Sequence, residues 1–383
     1  MNMNIENIMH FHFDKVENIT GFVTKNVKVK KGDLVEILSR ASITSDQPEF
    51  YIYIEQICNI FLNPKGILIN NVYQFLILIH EDLSADLYIN DFPVAIECCS
   101  KRDIKKGEMI HENDIADIRS LKFPGFEIKE IDKVIYCFKA GWKFGLFFDL
   151  VRNGKLDNKA LYLSLGTLYR NLSFQYVYEV LESETQFNEM MKDGWFPFIE
   201  LLGTDYKTLI KTYQDKFGFE NKIKGLLDSF NKERIKRITS KWWNKQIFND
   251  KKKILEAGIN AYLRDDDDGY INCLKTLLPE IEGIIRLKYF QDTSKGKQVK
   301  MSELLNYITE KGKVRSGSDY SLFLPLPFLN YLNEVIYVGF DLESGEIDLS
   351  RHSISHGVAE VKDYTKIRAL QTILVLDQIY YFI

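Results

Sequence analysis

The sequence predicts an α+β fold: a β-rich N-terminal domain over residues 1–140, then an all-α region that ends in a helical bundle. Two observations carry this expectation. Short runs rich in β-branched and aromatic residues, punctuated by Gly, Asn, Asp and Pro, fill the first part of the chain. From about residue 145 apolar residues instead recur every three or four positions, the period of an amphipathic helix. With 383 residues the chain exceeds a usual single domain and suits two or three.

Composition narrows the class. At 45% hydrophobic and 27% charged, the chain has enough apolar side chain for a sizeable core, and extended disorder is not expected. A formal net charge of -4 gives no global positive field, so an RNA partner would need a local patch. Cys58, Cys98, Cys99, Cys137 and Cys273 form no CxxC pair and are odd in number. That pattern disfavours a disulfide framework or a thiolate zinc site and fits a reducing compartment. The start MNMNIENIMHFHF lacks the basic and apolar regions of a signal peptide. No apolar run reaches the roughly 20 residues of a membrane span; ILVLDQIYYFI at the C-terminus is interrupted by Asp377. A cytoplasmic protein without membrane contact is expected.

In chain order, ITGFVTKNVKVKKGD, FYIYIEQICNIF, GILINNVYQFLILI, ADLYINDFPVAIECC and KVIYCFKAGW read as strands of an antiparallel sandwich or barrel. DIKKGEMIHENDIADIR, between two of them, resembles the turn-and-strand pattern of the SAF family of small β-clip domains. GLFFDLVRN, ALYLSLGTLYRNLSFQYVYEVL, FNEMMKDGWFPFIELL, DYKTLIKTYQDKFG and KIKGLLDSFNKERIKRITSKWWNK make a helical middle region, residues 141–248. Gly194, Trp195 and Pro197 mark a packed bend within it.

The last region, 249–383, begins with two helices, KKKILEAGINAYLRDD and GYINCLKTLLPEIEGIIRLKYF, joined by the acidic turn Asp265–Asp268. This turn lacks the glycine and distal glutamate of an EF-hand loop. DTSKGKQ is an exposed polar loop, MSELLNYITEKG a shorter helix and KVRSGSDYS a second loop. FLPLPFLNYLNEVIYVGFD takes no clear assignment. The closing helix, within VKDYTKIRALQTILVLDQIYYFI, has apolar positions at Ile367, Leu370, Ile373, Leu374 and Leu376, and the set makes a small bundle.

The chemistry-bearing stretch is LSRHSISHG, where two of the chain's six histidines stand beside an arginine. Imidazole accepts and donates protons near neutrality, and guanidinium stays charged and forks onto phosphate oxygens. Together His356 and Arg351 could cleave RNA through its own 2′-hydroxyl: one group moves protons, the other neutralises the phosphate. Five residues of helix turn through about 500°, so this pair stands roughly 140° apart. Either Arg351 lies at the helix entrance and wraps back, or it works with the histidine of a second subunit. His352, His356 and Glu360 have the one-turn spacing of metal ligands, and a divalent ion or a purely structural polar cluster stay open. A zincin helix, however, needs a glutamate where Ser353 stands.

The order helix pair, Arg-His-Ser-Ile-Ser-His, closing helix resembles a HEPN domain, a helical family of toxin, abortive-infection and antiphage systems whose signature is Arg, a polar residue, and His. Arg351, His352 and His356 fit that signature, and LLPEIEGIIR resembles the proline-acidic-arginine segment that some members carry. The resemblance implies a HEPN-like bundle acting as a metal-independent endoribonuclease, without a cofactor, in stress response or antiphage defence. It implies a homodimer through the C-terminal helical domain with both motifs lining one cleft. Arg351, His356 and His352 would be catalytic, with Glu282 orienting them from the neighbouring helix. The plain alternative for Glu282 and Arg286 is an intrahelical ion pair. RNA, such as tRNA or mRNA, is the expected substrate, an antitoxin or a phage-derived trigger the expected control, and the N-terminal region the sensor. A non-catalytic HEPN-like interaction or sensor module is the rival reading.

NKERIKRITSKWWNKQIFNDKKK carries nine Lys and Arg against two acids. Lys236, Arg237 and Lys241, with Arg286, are therefore candidate RNA contacts beside Trp242 and Trp243. The alternative is a solvated helix face with the tryptophans turned inward. His10, His12, His80 and His111 take no role in this reading.

Overall fold

Consecutive apolar residues in QFLILI and KVIYCF require cover on both faces of a strand, because side chains alternate sides. The computed structural model, which describes residues 8–12, 23–24, 30–34, 37–38, 40–150, 155–295, 299–339 and 350–383, provides that cover. The chain is α+β and divides into two units, 1–97 with 118–175, and 98–117 with 176–383.

In the first unit, β1 (Ile8–His12), β4 (Arg40–Thr44), β5 (Gln74–Ile79), β6 (Ser84–Ile89), β9 (Lys133–Ala140) and β10 (Lys143–Asp149) form one antiparallel sheet. Its order is β1-β6-β5-β9-β10-β4. Two short strands, β2 (Val23–Thr24) and β3 (Ile37–Leu38), pair separately, as do β7 (Ala95–Ser100) and β8 (Ile115–Lys122). Phe75, Ile77, Ile79, Ile135 and Cys137 face one side and pack with Phe50, Ile57 and Phe61. Leu76, Leu78, Val134, Tyr136 and Phe138 face the other and pack with Leu161, Leu165 and Leu168 of the helix Asn158–Ser173. The expected sandwich or barrel is therefore an open sheet with a helical layer on each face. Uninterrupted apolar runs, rather than alternating ones, were the signal for this.

Two segments differ in type from expectation. FYIYIEQICNIF is not a strand: Pro48 opens the helix Pro48–Ile57, and Phe50, Ile54, Ile57 and Phe61 recur at helical spacing onto the sheet. Its β-branched and aromatic content misled because propensity yields to packing. GLFFD is not helical but is most of β10, paired to β9 through a turn at Gly141, whose φ of +62° suits glycine. Most of ITGFVTKNVKVKKGD lies outside the described residues.

The second unit is helical from Tyr176 on, and helices on both sides of residue 248 belong to it. Lys252–Tyr262 and Asp267–Thr293 form the expected pair; a Cβ on Gly258 would meet Leu277 Cδ2 at 2.5 Å, so their axes approach closely there. Asp266 caps the long helix, accepting from the Gly269 amide at 2.6 Å. The Asp265–Asp268 run is thus a helix start. Met301–Ser316 runs through the expected KVRS loop, and Pro325–Tyr331 opens the unassigned proline-aromatic segment. The closing helix Lys366–Phe382 is buried almost all round rather than on one face. Trp195 is buried at the expected bend. Among the described residues, no helix is long and apolar enough to cross a membrane.

Candidate functional site

Ser350 and Ser353 determine where the histidine segment begins. Ser350 Oγ accepts from the Ser353 amide at 3.2 Å and Ser353 Oγ accepts from the Ser350 amide at 2.8 Å, a reciprocal cap on the short helix Arg351–Ser355. Both serines are buried, so this start is anchored in the unit rather than frayed. At the other end Gly357 takes a φ of +72° and stops the helix, with the Val358 amide donating back to Ser353 O at 3.0 Å. Arg351 is hence the first helical residue and His356 the C-terminal cap.

The long helix supplies the opposite wall. Glu282 and Arg286 stand one turn apart, with Arg286 Nη2 donating to Glu282 Oε1 at 2.7 Å. Arg351 Nη2 lies 2.7 Å from the second oxygen, Glu282 Oε2. One largely buried carboxylate therefore bridges two guanidinium groups from different helices, and the three carry a net positive charge. Arg351 lies at the helix entrance, the first of the two geometries its spacing allowed.

Tyr337, which sequence reasoning missed, completes the cluster. It follows the turn Leu332–Ile336, and its ring centroid lies 6.4 Å from that of His352 at 69°. Its hydroxyl and Arg351 Nε are buried without a hydrogen-bond partner among the described residues. Such atoms are costly to bury unless something engages them. Burial pushes the Tyr337 phenol well above its ordinary range, with Glu282 adding to it and the two arginines opposing. No period or motif in NEVIYVGFD marked this tyrosine.

Electrostatics separates the histidines. Burial lowers the His352 pKa first, Arg351 and His356 lower it further, and Glu282 opposes them. Near neutral pH His352 is accordingly an uncharged acceptor. His356 is exposed at the helix end.

The remaining candidates separate from this cluster. The ladder His352, His356, Glu360 is not continuous, because the helix stops at Ser355; Glu360 lies beyond the break, paired to Lys362 at 2.8 Å. Among the described residues, no group of three or more His, Cys, Asp or Glu is placed to hold a metal ion. Arg237 and Lys241 turn onto the buried Glu200 at 2.9 and 2.8 Å, and Lys241 also reaches Asp377 at 3.1 Å. Trp242 is fully buried and donates from Nε1 to Asp377 Oδ1 at 2.8 Å, the inward packing that the alternative reading gives for that residue. Lys236 is exposed on the helix Lys232–Ser240.

Compared with protein-family models, with curated proteins and with solved structures, the chain matches none.

Proposed function

We propose that the C-terminal helices form a HEPN-type endoribonuclease site, acting in stress response or antiphage defence. The carboxylate of Glu282 held between Arg286 and Arg351, beside an uncharged histidine, is the observation that carries this reading. Arg351 has the guanidinium to neutralise a scissile phosphate, and Glu282 orients it by occupying one side of the fork. An uncharged His352 takes the proton of the RNA 2′-hydroxyl, and His356, open to solvent, protonates the 5′-oxygen that leaves. The 2′-oxygen bonds to phosphorus as the bond to the 5′-oxygen breaks, leaving a 2′,3′-cyclic phosphate and a 5′-hydroxyl. Pairing of two chains about a two-fold axis beside the motif would bring both arginines and both histidines to one cleft. In this reading the protein is cytoplasmic, an antitoxin or phage-derived trigger controls it, and the N-terminal unit receives that signal.

The test is cleavage of an RNA pool by the parent and by Arg351→Ala and His356→Ala, with circular dichroism checking the fold. Folded variants that leave RNA intact while the parent cuts it support the enzyme. RNA left intact by the parent under all conditions favours the non-catalytic interaction module. Retention of chelator-resistant cleavage in both variants would remove these residues from the mechanism.

A further inference from the structure

In the unit 98–117 and 176–383, a half-open cavity of about 450 Å³ lies at the end of β7, the turn after Lys232–Ser240, and the C-terminal ends of Met301–Ser316 and Lys366–Phe382. Six cations line it: Lys101, Arg102, Arg237, Lys241, Lys245 and Arg315. Asp103, exposed on its rim, is the one lining carboxylate. Arg102 pairs with Asp114 at 2.7 Å and with Glu108, while Arg237 and Lys241 engage Glu200 and Asp377.

Lys101 and Lys245 differ. Lys101 is 3% exposed, and its Nζ donates to Leu202 O at 2.7 Å; Lys245 Nζ donates to Tyr380 O. Neither pairs with a carboxylate among the described residues. A carbonyl positions an ammonium but does not neutralise it, and of the three donors of an ammonium each lysine uses one in a hydrogen bond among the described residues, with Lys245 Nζ also 4.4 Å from the Tyr380 ring centroid. Burial lowers both lysines to about 8; at Lys101 Glu200 and Asp205 oppose it while Arg234 and Arg237 add to it, and at Lys245 Arg315 and Lys288 add to it while Cys99 and Asp377 oppose it. Placing two such amines in one concavity raises the energy of the empty site, and an arriving anion lowers it. Tyr380, partly exposed, adds flat apolar surface to the same cavity, with Phe323 and Tyr381 buried behind it.

We infer that this cavity binds a nucleoside polyphosphate, with the phosphates on Lys101, Lys245 and Arg315 and the base against the aromatic side. Its volume suits one small ligand, and its cations converge on a depression. A continuous RNA strand needs an extended groove instead. The site uses none of Arg351, His352, His356 and Glu282, although Arg237 and Lys241 on its wall were candidate RNA contacts.

Titration of the full chain with a fluorescent N-methylanthraniloyl-ADP, followed by anisotropy, tests this. Saturable binding is expected, displaced by unlabelled ADP and by inorganic pyrophosphate but not by adenosine. Lys245→Gln and Arg315→Gln, both at sites with solvent access, should each weaken it at least about tenfold, the loss of a charge-assisted contact. Lys245→Arg should restore most of the affinity and Arg351→Ala should leave it unchanged. A flat titration up to millimolar probe, or equal affinity in the glutamine variants, overturns the inference. So does a short single-stranded RNA that displaces the probe and binds far more tightly through the same two residues.

Discussion

Two histidines in this chain sit among charged neighbours of opposite sign. His80, in the first unit, places Nδ1 2.8 Å from the buried Asp132 and Nε2 3.3 Å from Asp86. His352, in the second, neighbours Arg351, whose charge Glu282 must share with Arg286. Burial opposes the charged form of both. At His80 hydrogen bonds to Asp132 and Asp86 outweigh burial, and the pKa rises; at His352 Arg351 adds to burial, and it falls. The charged form of the same side chain is thus favoured in one place and disfavoured in the other. A histidine's role follows from the sign of its neighbours, which its position in the sequence does not reveal.

The sharpest way to break this contrast is at Glu282. Glu282→Gln leaves two guanidinium groups without their shared counter-charge. RNA cleavage should fall by roughly two to three orders of magnitude, the scale for loss of a preorganised electrostatic group. The His352 midpoint in an NMR titration should fall further at the same time, because the one group raising it is gone. Arg351→Ala should also abolish cleavage, yet move the His352 midpoint upward. Midpoints that do not diverge in these two variants would sever His352 from the charge cluster.

At the other histidine, Asp132→Asn should destabilise the first unit by about 1–3 kcal/mol, the cost of spoiling a buried charge-assisted hydrogen bond. His80 should then titrate lower. In the parent, a pKa raised above 6.5 on folding adds stability that is fully present below pH 6.5 and is lost as pH rises through the folded value. Melting temperature should accordingly increase on acidification from about pH 8 to about pH 6, and this slope should flatten in the variant. An unchanged slope would mean that other groups carry it.

A smaller effect is expected in the pH dependence of cleavage itself. If His352 is the base, protonation inactivates it, and the acid limb of kcat/KM should fall below the ordinary imidazole midpoint of 6.5. A limb above 6.5 would assign the base to another group.

How much of this was legible in the sequence differs by distance along the chain. The helix pair and the closing helix were readable because each is a local pattern, whereas the change from strand to helix falls at Asn158 and not near residue 145, since GLFFD completes the sheet. Arg351, His352 and His356 were readable for the same reason. Two-sided burial of the sheet is present in the uninterrupted apolar runs QFLILI and KVIYCF, although strand content alone does not specify which elements cover each face. The helix at Pro48–Ile57 was hidden because its aromatic and β-branched residues favour strands, while the sheet beneath them rewards a helical stripe. Tyr337, Lys101 and Lys245 carried no local signal. Their significance comes from partners brought together only by folding, such as Leu202 O for Lys101 and the His352 ring for Tyr337.

Tyr337→Phe tests the least conspicuous of these partners. Its hydroxyl is buried with no hydrogen-bond partner among the described residues, so removing it deletes a polar atom that the folded chain leaves unsatisfied. If the tyrosine only packs, the variant should be as stable as the parent or up to about 1 kcal/mol more stable, with cleavage unchanged. If the hydroxyl faces the reacting phosphate from beside His352, the variant should keep that stability but lose about tenfold in kcat with little change in KM, since the contact is made in the transition state. We expect the second pattern, because the two unsatisfied atoms, Tyr337 Oη and Arg351 Nε, belong to one cluster. A stabilised variant with full activity would make Tyr337 the structural neighbour of His352 and leave Arg351 as the sole phosphate contact.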